Sequence, residues 1–283
     1  MSSARPAIVD ELAKRAGRPW SREEMRAELA GEPEALGPRL RRLRERVMVA
    51  LAHRDLNGLA PLAEVFDTMA ALAEECIGAA AARAHEVAVA AHGEPAGGAA
   101  LTVAALGKLG GAELNVSSDV DLVFLYGAEG ETAGPRPIAH SAFFAAVGRS
   151  IIALLSEATE DGQAFRVDMR LRPFGDSGPL ATSLPALEDY FIAHARPWER
   201  YAWLKARALT GDRGDELERL ITPFVFRKYL DYDAYAGLRD VHRQIREQGR
   251  RKDYARNIKL GPGGIRELEF IVQALQLVRA GRE

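Results

Sequence analysis

The stretch Gly110-Gly111-Ala112-Glu113-Leu114-Asn115-Val116-Ser117-Ser118-Asp119-Val120-Asp121-Leu122-Val123-Phe124-Leu125-Tyr126 decides how this chain is read. Residues 119–126 are rich in β-formers and too apolar for a sheet edge, which predicts an interior strand. Side chains on a strand alternate faces, so Asp119 and Asp121 project from the same side. Neighbouring carboxylates repel each other and cost stability unless a cation sits between them. Mg²⁺ suits that role, because it takes hard oxygen ligands and commonly combines one or two carboxylates with substrate phosphates. Two solvated acids in a surface turn are the plain alternative. The continuation Leu122-Val123-Phe124-Leu125 weighs against it, because it drives the strand into a core and leaves the acids at the mouth of a buried element. Gly110 and Gly111 allow the backbone to approach a phosphate closely and offer N–H donors to it.

Downstream, Phe165 to Leu171 alternates cleanly and predicts a second strand. Its period places Arg166, Asp168, Arg170 and Arg172 on one face, with Val167, Met169 and Leu171 on the other. Three guanidiniums beside a single acid exceed simple pairing and suit phosphate oxygens, which arginine grips bidentately. Asp168 then adds a third carboxylate to the metal set. An exposed amphipathic strand with its charges in water is the competing reading.

Two further segments carry weaker signals. Asn257 to Phe270 is a glycine-rich loop opening a helix, with Lys259 and Arg266 on either side. Helix N-termini favour anions, although a plain helix cap explains such a loop equally well. Trp198 to Arg207 reads as an aromatic helix whose tryptophans pack in a core, with Lys205 and Arg207 as lesser phosphate candidates. The six histidines show no ligand spacing and no nucleophile–base pattern. Cys76, the only cysteine, sits in an alanine-rich helical context and reads as a small buried apolar residue.

Around these segments the chain divides into three expected regions. Residues 1–96 read as helical, with a Ser21/Glu24 capping box, an Asn57-Gly58 turn and a long alanine-rich helix up to His92. Residues 97–182 hold the strands and a helix at 141–158, whose stripe is Phe143, Phe144, Val147 and Ile151. Residues 183–283 return to helical periodicity through Tyr190, Trp203, Leu220, Leu238 and Leu275. The expected class is α+β: a small mixed sheet flanked by N-terminal and C-terminal helical regions.

The 283 residues are 47% hydrophobic and 28% charged with a formal net charge of -2, so nothing in the total favours wholesale nucleic-acid or membrane binding. A single cysteine excludes an internal disulfide and fits a reducing, cytoplasmic compartment. The start has no apolar block of signal-peptide length, and no stretch approaches the roughly 18 apolar residues a membrane span requires.

The run Ala105-Leu106-Gly107-Lys108-Leu109-Gly110-Gly111-Ala112-Glu113-Leu114-Asn115 into Ser117-Ser118-Asp119-Val120-Asp121 resembles the glutamine synthetase adenylyltransferase family. So do residues 166–179, Trp198 to Arg207 and Asn257 to Phe270, and the similarity runs from about Arg39 to the end. Members usually carry two tandem modules, one attaching AMP to a tyrosine of glutamine synthetase and one removing it by phosphorolysis. Glu113-Leu114-Asn115, Pro173-Phe174-Gly175, Asn257-Ile258-Lys259 and Pro223 to Tyr229 resemble the N-terminal, deadenylylating module. The chain is too short for a complete member, which implies a longer protein whose adenylylating half is not in this sequence.

The resemblance implies a polymerase-β-like nucleotidyltransferase core in which Asp119, Asp121 and Asp168 hold Mg²⁺ and carry catalysis. Gly110, Gly111, Ser117 and Ser118 would position the nucleotide, and Arg170, Arg172 and Lys259 would neutralise phosphate. Expected partners are glutamine synthetase, the signalling protein PII, the adenine nucleotides ATP, ADP and AMP, and inorganic phosphate. ATP-dependent adenylylation, or a non-catalytic module binding nucleotide or a regulator, are the competing functions.

Overall fold

The computed structural model describes residues 17–226, 257–259 and 261–279, together with residues 12, 15, 243 and 247. Leu238 and the Arg227–Tyr229 part of the family-like motif lie outside the described residues.

Helix α1 (Arg22–Leu29) starts on the expected capping box: Ser21 Oγ accepts from Glu24 N at 3.2 Å, and Glu24 Oε2 accepts from Ser21 N at 3.0 Å. Such a cap contributes about 1 kcal/mol by satisfying orphan N–H groups. Helix α2 (Leu36–Leu56) stops at Asn57-Gly58, where Gly58 takes a positive φ of 68°. Helix α3 (Leu62–His92) follows, and its small side chains let Met69, Leu72, Cys76, Ile77 and Ala80 bury completely against α1, α2 and a later helix.

Strand β1 (Leu101–Leu106) leads into the one-turn helix α4 (Gly107–Gly110) and then, through a loop, into β2 (Val120–Tyr126). Helix α5 (His140–Ser156) buries the expected stripe of Phe143, Phe144, Val147 and Ile151. Next come β3 (Val167–Asp168), β4 (Ala181–Ser183), α6 (Leu184–Ala193), α7 (Glu199–Trp203), β5 (Arg207–Ala208) and α8 (Gly214–Val225). Helix α9 (Ile265–Arg279) closes the described chain.

The five strands form one mixed sheet in the order β3-β2-β1-β5, with β4 also pairing with β2. Strand β1 is antiparallel to β2 and β5, whereas β3 and β4 run parallel to β2 one after the other along its far edge. The β2 strand is therefore interior, as its composition demands. Strand periodicity sends Val103, Ala105, Leu122, Phe124 and Tyr126 to a face covered by α3 and α5. Ala104, Leu106, Val123 and Leu125 go to the opposite face, under Leu184, Leu187, Trp203, Leu217 and Ile221 of the later helices. The architecture is the α+β class expected, a small mixed sheet between helical flanks.

Two local expectations are corrected. The strand expected over Phe165 to Leu171 is only Val167–Asp168, because Arg170 N–H turns back to donate to Asp168 Oδ1 at 2.9 Å and the chain leaves the sheet. The helix expected over Trp198 to Arg207 ends at Trp203, after which Arg207–Ala208 pairs with Ala104 and Ala105. Trp203 is fully buried as expected of a core tryptophan, but Trp198 is 41% exposed. No helix among the described residues is long and apolar enough to cross a membrane.

Candidate active site

Parallel pairing sets Asp168 directly beside Asp121, whose other neighbour, across the antiparallel ladder, is Leu106. Asp121 shares a sheet face with Val123 and Leu125, so its carboxylate lies on the side covered by the later helices. Asp119 precedes the first residue of β2 and is exposed.

The three acids differ in their surroundings. Arg166 Nε donates to Asp119 Oδ1 in a short contact, and Arg166 Nη2 donates to Ser117 O at 2.6 Å. Arg170 clasps Asp168 through Nε, 3.0 and 2.9 Å from its two oxygens, and through Nη2 at 2.5 Å. These hydrogen bonds hold the Asp168 carboxyl below its usual range. Asp121 is half-buried and, among the described residues, has no hydrogen-bond or ion-pair partner. Burial, then the charges of Asp168 and Asp119, push its carboxyl up to about 6.

With Asp119 drawn to Arg166 and Asp168 to Arg170, no three acids, histidines or cysteines among the described residues stand close enough together to make a ready cage for a metal ion. The donor chemistry nevertheless fits a hard cation: the partnerless Asp121 carboxyl is pushed up by burial and by the charges of two neighbouring acids.

The glycines of the motif also admit protein neighbours closely. Gly107, at φ +56°, faces the acid directly, since a Cβ there would stand 2.3 Å from Asp121 Oδ2. A Cβ on Gly110 would meet the Lys205 carbonyl at 2.1 Å, so this glycine admits the segment between α7 and β5. Arg207 reinforces that contact by donating to the Gly110 and Leu109 carbonyls at 3.3 and 3.2 Å, while its Nη2 reaches Glu74 at 2.6 Å. Lys205 Nζ, a lesser phosphate candidate, is held by both Glu113 oxygens at 3.0 Å. Gly107 and Lys108, whose charge favours the Asp121 anion, are neighbours of that acid to which the sequence alone gave no role.

The loop between α4 and β2 is fixed by Asn115. Its Oδ1 accepts from Ser117 N at 3.1 Å and from Ser118 Oγ at 2.8 Å. Arg44 on α2 braces the same loop by donating to Val116 O at 3.2 Å, and it also donates to Gln163 O, ahead of β3, at 3.4 Å. Arg172 is nearly buried, with Nη1 on Met169 O at 2.7 Å and Nε without a hydrogen-bond partner. Arg170 and Arg172 therefore sit close in sequence but on different local supports, not in the single row expected. Lys259 is exposed in a loop tied by its own N–H to Asn257 Oδ1 at 3.0 Å, and its helix α9 meets α7 through Phe270 stacked on Tyr201 at 5.3 Å. Among the described residues no hydrogen bond or ion pair joins the Lys259 side chain to the three acids.

A mixed sheet whose central strand opens on spaced carboxylates, behind a positive-φ glycine turn and between helical layers, has the make-up of a nucleotidyltransferase-like core. Residues 3–220 match the family model described as glutamate-ammonia ligase adenylyltransferase, and the chain belongs to that family. Residues 239–283 match a second model, described as GlnD PII-uridylyltransferase. Among curated proteins, the chain is 52% identical over 290 residues to the bifunctional glutamine synthetase adenylyltransferase/adenylyl-removing enzyme of Chromobacterium violaceum, with 99% of this chain and 32% of the relative aligned. The protein of the same description from Aromatoleum aromaticum is 50% identical over 290 residues, covering 100% of this chain and 31% of the relative. That of Thioalkalivibrio sulfidiphilus is 49% identical over 286 residues, covering 99% and 29%. The chain thus spans about a third of the length of the curated relatives it matches.

Proposed function

We propose that this chain is the nucleotidyltransferase module that removes AMP from adenylylated glutamine synthetase, using inorganic phosphate and yielding ADP. The observation that carries the proposal is the register that sets Asp168 beside Asp121, with Asp119 just before the same strand and arginines 166 and 170 already gripping anionic oxygens there. Family membership and the names of the relatives support glutamine synthetase as the protein substrate. The motifs resembling the deadenylylating module favour removal over attachment.

Asp119, Asp121 and Asp168 would hold Mg²⁺, which when bound supplies charge neutralisation and in-line orientation of the two reacting oxygens. A phosphate oxygen forms the new bond to the α-phosphorus, the bond from phosphorus to the tyrosine oxygen breaks, and the departing phenolate takes a proton to leave tyrosine. Arg166 and Arg170 exchange their present carboxylate partners for phosphate oxygens, a like-for-like replacement of charge-assisted hydrogen bonds. Arg172 stays largely buried, with its Nη1 on Met169 O and Asp176. The backbone turn of Gly107 to Gly111 and the Asn115-braced serines 117 and 118 line the approach to the acids. Lys259, the signalling protein PII and a cytoplasmic setting belong to the same proposal through the family resemblance.

The deciding assay gives the chain adenylylated glutamine synthetase with phosphate and Mg²⁺, and in parallel the unmodified enzyme with ATP. ADP release in the first arm is the expected result, and it should vanish in Asp119→Asn and Asp121→Asn. AMP attachment in the second arm without release in the first would replace removal by adenylylation. Mg²⁺-independence of either reaction would remove the role given to the acids.

A further inference from the structure

Beyond Arg170, which clasps Asp168, lies a cavity of about 510 Å³ between the 170–177 loop and helices α6 and α7. Its size is within the range of small-molecule sites. We propose that this cavity is where the nucleotide part of the substrate is held, its base against Phe174 and Trp198 and its phosphate against Arg172 and Arg196. The proposal rests on the preceding reading for the nucleotide being an adenosine phosphate, but the site itself is argued from its own lining.

The two cations differ in what they already hold: Arg172 Nη1 donates to Met169 O at 2.7 Å and pairs with Asp176 at 3.4 Å, whereas Arg196 is exposed. Arg172 buries its Nε without a hydrogen-bond partner, and among the described residues the Arg196 guanidinium has none either. The one lining carboxylate, Glu199, is spent internally. It is 6% exposed, and its two oxygens accept from Tyr190 Oη at 2.7 Å and from Arg196 N at 3.1 Å. A buried acid satisfied in this way stiffens the wall and leaves the exposed Arg196 guanidinium to attract an anion from solution.

The aromatic part of the lining is equally specific. Phe174 is the first residue after Pro173 and takes a left-handed φ of +61°, a conformation that costs a non-glycine residue about 1 kcal/mol. This strain does not bury the ring, which stays 52% exposed, but holds it edge-on to Tyr190 at 4.7 Å and beside His194 at 5.3 Å. Trp198, just ahead of α7, lines the cavity while 41% exposed. Exposed aromatic faces beside a cluster of guanidiniums suit a ligand that is flat and apolar at one end and anionic at the other, which is the chemistry of a nucleoside phosphate. Arg170 joins the two places, since it lines the cavity and also clasps Asp168, so a phosphate bound here can be presented to the acids.

The test is calorimetric titration of the full chain with AMP in EDTA, where no metal can contribute, repeated on Arg196→Ala and Trp198→Ala. Both residues are on the surface, and an unchanged melting temperature checks that each variant folds. Each should weaken AMP binding about tenfold, in line with the worth of one stacked base or one charge-assisted contact. Inorganic phosphate and adenosine, each carrying only one of the two features, should bind at least tenfold more weakly than AMP. AMP affinity unchanged in both variants, no AMP binding at all, or phosphate displacing AMP at equal concentration would each overturn the proposal. Failure here is separable from failure of the proposed function. If the variants bind AMP normally while Asp121→Asn abolishes ADP release, the cavity assignment falls and the function stands. If the variants lose AMP while Asp119→Asn and Asp121→Asn still release ADP, the cavity assignment stands and the role of the acids falls.

Discussion

At Asp121, burial and the charges of Asp168 and Asp119 push the carboxyl up to about 6, so the folded chain holds this proton more tightly than the unfolded chain does. A raised acid stabilises the fold fully below its unfolded value near 3.8, and that stabilisation disappears as pH climbs through about 6. Above that point the anion is a standing cost to the metal-free protein. Asp121→Asn removes the cost, so in EDTA the variant should be more stable than the parent by about 1–3 kcal/mol at pH 8, a gap that closes toward pH 4. Urea unfolding at the two pH values measures it, and an equal gap at both would show that the carboxyl is not strained by its neighbours. The same variant should be catalytically dead, a combination of gained stability and lost activity that marks a site group. Gly107 makes the complementary case. In Gly107→Ala the left-handed φ costs about 1 kcal/mol, and the new Cβ must also displace the Asp121 carboxylate now 2.3 Å away. Turnover should fall by two orders of magnitude or more with only this modest loss of stability, and a near-normal rate would show that the carboxylate has room to move aside. From the sequence the place of Asp121 was legible because strand period fixes its face, whereas Asp119 lies just before the strand. The part played by Gly107 was not, since a positive φ and the approach of a carboxylate across the sheet leave no mark in local periodicity.

Elements show the same division between what local pattern carries and what only contact across the fold decides. Strand β2 and helix α5 were readable because their apolar residues recur with one period over many residues. Strand β3 shrank to two residues because Asp168 offers Arg170 N–H a better partner than the ladder does, and side-chain capture of the backbone competes with strand extension. Likewise β5 was hidden inside a segment of helical spacing, because its partner is β1, a hundred residues earlier. What lets β5 reach β1 is Gly110, whose missing side chain leaves space for the Lys205 carbonyl. Gly110→Ala places a methyl 2.1 Å from that oxygen and 2.7 Å from the Ala105 carbonyl, so backbone must shift. Overpacking of this kind costs about 1–3 kcal/mol. The variant should lose that much in chemical denaturation, and amides of residues 207–209 should exchange hydrogen faster while those of α5 keep their protection. Loss of protection throughout the chain would mean that β5 is not the element that yields.

Across the whole molecule the sheet is a shared wall between two apolar layers, and each layer recruits helices from a different part of the chain. On one side, Val103, Leu122, Phe124 and Tyr126 join a continuous cluster with Leu40, Leu43, Val47, Met69, Leu72 and Ile77 from the first helices. Phe143 and Phe144 of α5 are both completely buried in that cluster, and Phe143 meets His85 of α3 edge-on at 5.8 Å. Arg44 of α2 additionally holds the loop that carries Ser117. The early helices therefore support the site from behind. A chain beginning at residue 97 would keep all three acids but expose the α5 aromatics. Uncovering a buried aromatic or large aliphatic side chain costs roughly 1.5–3 kcal/mol, so a handful of them equals the ~5–15 kcal/mol by which a domain is stable at all. The shortened chain should consequently show no cooperative thermal transition, weak near-ultraviolet circular dichroism and strong binding of a hydrophobic dye, in the manner of a loosely packed state. A sharp unfolding transition with native-like aromatic dichroism would demonstrate instead that the sheet and its later helices are sufficient by themselves. In that event Arg44 and the first three helices would have to be regarded as an appended layer and not as the floor on which the catalytic loop is built.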